Sequence, residues 1–328
     1  MEILLYLTFA LFCWPIVTCN DEQSLEPGAE GFLKREHTLV RPFQGVGAEL
    51  WDFTGSTIVT GTHIRLTPDH QSKAGAIWNR IPCMLRNWEV LIHFKVHGNG
   101  VDLYGDGFAF WLTKGRNEMG KVFGSKDPFS GLAIFFDTYS NQNGEHAHVH
   151  PYVSAVVNNG SMSYDHDYDG THIQIAGCSA PFRGREHDTF ASIRFVNNRL
   201  TAKLDIDGNG EWRQCFDADE VFLPLGYFFG ISAATGDLAD NHDILTFKVF
   251  ELPADETSDI SDTALLNLVP HAKTAEAPRE RTQDKPVGVF QRKSMSTIFM
   301  FLILLIVCGG IVFFLVKRQQ TNAKKRFY

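Results

Sequence analysis

A sustained helical period is missing from the first 250 residues of this sequence, which excludes a helical bundle and leaves strands as the building material. Basic charge is scarce: 30 Lys and Arg stand against 38 Asp and Glu, a net charge of −8. That balance argues against nucleic acid, because phosphate binding needs a basic face. No G-x-S-x-G elbow and no Ser-His-Asp order occurs. Carboxylates at alternate strand positions, about 5 Å apart as a retaining glycosidase of sandwich type would carry them, are lacking too. Asp137 has Phe135 two residues before it and Tyr139 two after, while Asp205 and Asp207 read as a turn. There is no internal repeat. These absences point to binding, not turnover.

What is present is aromatic and glycine-rich: 27 Phe, 28 Gly, 12% aromatic overall. That mix favours strands and tight turns. Trp88 to His97 alternates, with Val90, Ile92, Phe94 and Val96 on one face. Leu200, Ala202, Leu204 and Ile206 repeat the pattern, joined to Thr189–Phe195 by Asn197-Asn198, a type I′ turn signal. Val153–Val157 and Met162–Tyr164 flank Asn158-Asn159-Gly160-Ser161, a second hairpin signal. Tyr227–Ala234 and Ile244–Glu251 complete the set. Short strands punctuated by turns predict an all-β antiparallel sandwich or jelly roll, one domain over 36–252.

The flanks read differently. The apolar block at 3–17 is too short for a membrane span and predicts a signal peptide over 1–19, although Glu2 leaves its start without a positive side chain. Four prolines interrupt a polar stalk at 253–294, in which 264–269 suggests a short helix. Residues 295–316 form an uncharged run long enough to cross a bilayer, followed by a cytoplasmic tail at 317–328. Three cysteines remain in the lumenal part. In an oxidising lumen Cys178 and Cys215 are the better pair, each beside a strand end, and closing their loop is worth about 4 kcal/mol. Cys83 is expected to be a buried small hydrophobe.

The candidate site centres on Gly131-Leu-Ala-Ile-Phe-Phe-Asp137-Thr-Tyr-Ser-Asn141. A buried strand ends there in a carboxylate and a carboxamide, with the Tyr139 carbonyl between them, and such oxygen donors suit calcium. If the acidic loop Tyr164-Asp165-His166-Asp-Tyr-Asp169-Gly170 meets it, Asp137, Asn141 and Asp169 form a cage with His166 facing outward. Asp106 lies between two glycines that allow close ligand approach. Gly236-Asp237-Leu238 and the loop around Ser72 are, from the residues alone, ordinary polar turns. So is Asp205-Ile-Asp207-Gly-Asn209-Gly210, whose twelfth position would be Phe216, not the Glu of an EF-hand. Asn159-Gly160-Ser161 is the single glycosylation sequon. His146, His148 and His150 alternate as a zinc site would, yet no carboxylate is evidently placed to complete one, and a solvated loop is expected.

These residues resemble an L-type, leguminous-type lectin, and among such lectins the vesicular integral membrane lectins of the early secretory pathway, relatives of the intermediate-compartment cargo receptor. The pieces that carry the resemblance are Val46-Gly-Ala-Glu-Leu-Trp-Asp-Phe-Thr-Gly-Ser56, Gly105-Asp-Gly107, Phe136-Asp-Thr-Tyr-Ser-Asn141, Val157-Asn-Asn-Gly-Ser-Met-Ser-Tyr-Asp-His166 and Gly236-Asp-Leu-Ala-Asp-Asn-His-Asp243. It implies a concanavalin-like sandwich of two antiparallel sheets. Calcium ligands then fall on Asp137, the Tyr139 carbonyl, Asn141 and Asp169. Mannose contacts fall on Ser72, Asp106, Asn141, His166, Gly236, Asp237 and Leu238, and the disulfide on Cys178 and Cys215. Ser140 stands where a close relative has proline, and residues 142–150 depart from the family. The terminal Lys325-Arg326-Phe327-Tyr328 is similar to the family's dibasic and aromatic transport signals, read by vesicle coats. The expected function is calcium-dependent binding of high-mannose glycoproteins in transport between endoplasmic reticulum and Golgi, weakening on acidification. The alternatives are a glycan hydrolase of the same fold and a glycan-independent scaffold.

Overall fold

No polar side chain interrupts Leu132 to Phe136, so a strand made from this run needs cover on both faces. The computed structural model describes residues 27–28, 30–141, 148–253, 260–273, 309, 313 and 317, and it places this run in mid-sheet. In chain order the first elements are β1 (Phe32–Leu33), a helical turn α1 (Val46–Glu49), β2 (Trp51–Gly55), β3 (Ile58–Val59), β4 (Ile64–Thr67) and β5 (Ala74–Asn79). Next come β6 (Trp88–His97), β7 (Gly107–Thr113), β8 (Met119–Val122), β9 (Ser130–Asp137) and β10 (Tyr152–Asn159). Then follow β11 (Gln174–Ser179), β12 (Thr189–Val196), β13 (Arg199–Asp205), β14 (Arg213–Ala218) and β15 (Val221–Phe222). The last are β16 (Phe228–Ala234), β17 (Asn241–Glu251), α2 (Asp262–Leu266) and β18 (His271–Ala272).

One sheet is ordered β11-β10-β9-β7-β16-β5-β2. The other is ordered β14-β13-β12-β6-β17-β4-β3, with β1 also on β17. Their facing sides share one core, in which Phe108 stacks on Phe136 at 4.3 Å and Trp88 meets Phe229 edge-on at 5.5 Å. The expected antiparallel sandwich is the observed fold. The far side of β9 is covered as well: Ala133 and Phe135 join Trp111, Phe123 and Tyr164 in a second cluster. This double burial is why β9 reads as an unbroken apolar run.

The alternation predicted for β6 holds, with Val90, Ile92, Phe94 and Val96 all buried in the shared core. Its opposite face is not simply wet. Glu89 is buried too, accepting from the Ser192 hydroxyl at 2.6 Å and the Gly28 amide at 3.0 Å. Asn197 and Asn198 turn β12 into β13 with φ of 50° and 62°, as a type I′ turn requires. Asp205 folds its own loop, its carboxylate accepting from the amides of Asp207, Gly208 and Gly210. Cys178 and Cys215 form the disulfide, and Cys83 is free and buried.

Two expectations change. Met162–Tyr164 is not a strand: the Asn158 carboxamide accepts from the Gly160 and Met162 amides and donates to the Met162 carbonyl, so the chain is turned away after β10. β11 pairs there instead. The folded region also extends past both expected edges. β1 pairs with the end of β17, and part of the expected stalk returns to the domain, where β18 pairs with β15 and Arg86 bonds Asp262 at 2.6 Å. The short helix anticipated near 264–269 is α2, capped by the Ser261 hydroxyl. The signal region, all but two residues of the 295–316 run, and the terminal Lys325-Arg326-Phe327-Tyr328 lie outside the described residues. Among the described residues no helix is long and apolar enough to cross a membrane.

Asp243 anchors β17 to β4 and β6 through two bonds from Arg65, at 2.7 and 2.8 Å, and one shared with His97 at 3.0 Å. Burial pushes its carboxyl up, but Arg65 and His97 outweigh it and hold it at about 2. A depressed folded value means the network stabilises above the ordinary carboxylate range and is lost as pH falls through about 2. Asp243→Asn is therefore expected to cost about 2 kcal/mol at neutral pH and to flatten the acid limb of the stability profile. Urea unfolding at several pH values checks both.

Candidate functional site

Register brings the acidic groups together. Asp137, the last residue of β9, pairs with Gly107 at the start of β7 and with Tyr152 at the start of β10. Asp106 therefore sits one residue beyond the edge of β7, beside the chain leaving β9. The Thr138 amide and hydroxyl both donate to the Asp106 carbonyl, at 2.9 and 3.0 Å. The peptide joining Gly105 to Asp106 is cis.

Asp137 begins the loop by accepting from the Tyr139 amide at 3.0 Å. Two residues on, the Asn141 amide donates to Asp169 Oδ1 at 3.0 Å, which joins the two acidic loops as expected. Asp169 has φ of 50° and closes a one-turn 3-10 helix, His166–Tyr168, that the Asp165 carboxylate caps through the Asp167 amide. Asp137 and Asp169 are both buried. His166 is exposed, with its ring edge-on to Tyr164 at 4.8 Å.

The third strand-end loop arrives from β16. A Cβ on Gly236 would lie 3.3 Å from both carboxylate oxygens of Asp106, so this position brings backbone against the acid. The backbone of Gly236 lowers the carboxyl of Asp106, against the larger effect of burial. The Gly236 carbonyl accepts from the Ser72 amide at 3.0 Å, and the Gln71 carboxamide donates to the Asp237 carbonyl at 2.6 Å. A Cβ on Gly105 would lie 3.3 Å from the Tyr139 side chain and 3.5 Å from that of Leu238. Ser72, Asp106, Gly236, Asp237 and Leu238 thus share one surface with the loop of Tyr139 and Asn141.

Electrostatics set these groups apart. Burial, then the nearby Asp137 carboxylate, pushes the Asp106 carboxyl up to about 6. Burial also raises Asp137, with the Asp169 charge adding to the effect, opposed by His150. Asp137 and Asp169 both face His150 Nε2, at 3.7 and 3.9 Å. Two buried carboxylates brought together at the ends of two loops are a donor set for a hard cation, and the oxygens of Asp137, Tyr139, Asn141 and Asp169 suit calcium.

His150 is the residue that sequence reasoning missed. The three alternating histidines suggested a solvated loop with no carboxylate to complete a metal site. Here His150 Nε2 and one oxygen each of Asp137 and Asp169 lie within 4.8 Å of one another. The available signal was its place two residues before the start of β10, opposite the end of β9. His148 instead stacks on Tyr152 at 4.1 Å, and His146 lies outside the described residues.

A model of the legume-like lectin family matches residues 30–259. The vesicular integral-membrane protein VIP36 of Canis lupus familiaris is 48% identical over 314 residues, spanning 92% of this chain and 86% of that protein. Among solved structures, the VIP36 exoplasmic/lumenal domain in its Ca2+/Man3GlcNAc-bound form superposes with a TM-score of 0.71 at 52% identity, over 74% of this chain and 99% of that one. Its metal-free form gives 0.69 at 51% identity, over 74% and 100%.

Proposed function

The chain belongs to the legume-like lectin family, and from that membership we propose that it is a calcium-dependent lectin for high-mannose N-glycans of glycoproteins. In this reading Ser72, Asp106, Asn141, His166 and the Gly236-Asp237-Leu238 loop take the mannose hydroxyls. Asp137, the Tyr139 carbonyl, Asn141 and Asp169 hold the ion. The observation that carries the reading is Asp106, a half-buried carboxylate set against the backbone of Gly236. A pyranose needs such a pairing, because neighbouring hydroxyls each donate and accept. Bound calcium supplies the positive charge that lets Asp137 and Asp169 stay ionised side by side. Asp169 orients the sugar-facing loop through the Asn141 amide, Asp137 turns it through Tyr139, and Thr138 holds the backbone of Asp106.

The structure of VIP36 with calcium and a mannose oligosaccharide supports the ligand class. The test is binding of the purified full-length protein to a high-mannose glycan array, with calcium and with chelator. Calcium-dependent signal on mannose-terminated glycans is expected; no signal from folded, calcium-loaded protein would refute the reading.

Acidity should matter. Asp106 accepts hydroxyl protons fully only when ionised, so affinity is highest well above its raised value and declines as pH drops through about 6. With calcium saturating, the ion offsets the repulsion from Asp137 and the midpoint lies at or below that value. Further down, affinity falls about tenfold per pH unit. Calorimetry at graded pH and fixed free calcium checks this, and constant affinity through the range would contradict it.

The proposal extends to transport: a type I membrane protein with its lectin domain in the lumen of the early secretory pathway. The supports are the name of the VIP36 relative, vesicular integral-membrane protein, and the apolar run at 295–316. It carries or sorts glycoproteins between endoplasmic reticulum and Golgi, with Lys325, Arg326, Phe327 and Tyr328 engaging vesicle coat components. Asn159 carries a glycan in this scheme; its carboxamide oxygen accepts from the Ser161 hydroxyl at 2.6 Å on an exposed turn.

A further inference from the structure

Two of the loops assigned to the sugar meet behind it on a side chain that the lectin reading leaves without a task. Arg183 lies between β11 and β12, and the Gly184 amide beside it donates to the Val96 carbonyl at 2.9 Å, fastening this segment to the end of β6. The Arg183 side chain is 11% exposed. Its Nε donates to Asp240 Oδ2 and its Nη2 to Asp240 Oδ1, both at 2.7 Å, the two-pronged grip of a guanidinium on a carboxylate. Nη2 also donates to the Gly100 carbonyl at 2.8 Å. The guanidinium carbon stands 3.7 Å from the centre of the Tyr104 ring, close enough for the cation to hold the aromatic face.

The partners belong to different loops. Asp240 is wholly buried and lies two residues beyond Leu238, before β17 begins. Gly100 and Tyr104 lie on the connection from β6 to β7, and Tyr104 is followed directly by Gly105 and Asp106. One cation thus ties the loop of Gly236-Asp237-Leu238 to the loop of Asp106. Its removal would leave Asp240 buried without its ion-pair partner, which disfavours the packed arrangement of both loops. A second tie runs beside it. Asp69 Oδ2 accepts from the Asn99 amide and carboxamide, each at 2.8 Å, and the Asp69 amide donates to Asn241 Oδ1 at 2.9 Å. These bonds keep the loops attached when Arg183 is changed, so the change shifts the loops and leaves the sandwich folded.

We propose that Arg183 is a positioning residue for mannose binding, whose guanidinium sets Asp106 against the Gly236-Asp237-Leu238 loop from behind without touching the sugar. A lysine keeps the charge but lacks the planar fork and the flat face that stacks on Tyr104. The inference rests on the lectin reading and adds to it a residue from a segment that supplies no sugar contact.

The test uses full-length protein in detergent, titrated calorimetrically with a mannose oligosaccharide at saturating calcium, and separately with calcium, well below each variant's melting temperature. Arg183→Lys should weaken mannose binding by about tenfold and leave calcium affinity within about threefold. Tyr104→Leu keeps the ion pair on buried Asp240 and removes only the stacked ring, and it should weaken mannose binding by about threefold. Tyr104→Phe, which restores the ring, should bind as the wild type does. A purely structural role would lower the melting temperature of these variants and leave the mannose affinity of the folded protein unchanged. Wild-type mannose affinity in both Arg183→Lys and Tyr104→Leu overturns the inference, as does an equal loss of mannose and calcium affinity. Folded, calcium-loaded wild type that ignores mannose would instead sink the lectin reading, and this inference with it.

Discussion

Asp106→Ala is expected to lower mannose affinity by a factor of about 100 or more, with calcium affinity nearly unchanged. A charged acceptor contributes about 1.5–3 kcal/mol per hydrogen bond, and a carboxylate facing a sugar can accept from two hydroxyls. The loss should fall on binding, not on folding. The backbone carbonyl of Asp106 holds Thr138 and survives the substitution, while its half-buried carboxylate lies against the backbone of Gly236. Asp237→Ala serves as comparison: that residue is exposed, and the Gly236-Asp237-Leu238 loop is tied down through backbone carbonyls, so a smaller effect is expected. Calorimetry with a mannose oligosaccharide, beside calcium titration of each variant, separates the two properties. Undiminished affinity in Asp106→Ala would move the sugar site elsewhere.

Chelating calcium should abolish mannose binding while the sandwich stays folded. The shared core and the outer cluster behind β9 are built from apolar and aromatic side chains, whose packing does not need the ion. Without an ion, Asp137 and Asp169 repel each other, and the bond from the Asn141 amide to Asp169 no longer has a fixed anchor. At a hundredfold excess over its dissociation constant, an ion that binds only the native state adds about 2.7 kcal/mol. In a domain of this size that raises the melting temperature by about 5–10 °C. Melts with calcium and with chelator should therefore both be cooperative and differ by that interval. Asp169→Asn should melt near the chelated value whether calcium is present or not. A chelated protein that still binds mannose would remove the ion from the mechanism.

Most of the candidate site was legible in the residues because its loops carry chemistry that strands do not need. Asp137 and Asn141 end an apolar strand, Asp106 lies between glycines, and Asp169 closes an acidic turn. Each departs from a local pattern, and departures are visible without coordinates. Ser72 and the Gly236-Asp237-Leu238 loop were different: by themselves they look like ordinary turns, and only the family resemblance selected them. In the fold they meet through the bond from the Ser72 amide to the Gly236 carbonyl. That pairing joins segments more than 160 residues apart.

The sequence by itself determined which faces of β6 and β13 point inward and where Asn197 and Asn198 reverse the chain, and it marked Cys178 and Cys215, each beside a strand end, as the better pair. These are local properties, fixed by the two-residue repeat of a strand and by the φ a turn demands. Tertiary structure alone decided which side chains cover the two faces of β9, that Glu89 is buried, and that β18 returns to β15. It also decided that His150 faces Asp137 and Asp169. A sequence states which way a residue points relative to its neighbours along the chain. What it points at depends on strand order and register, which long-range pairing sets.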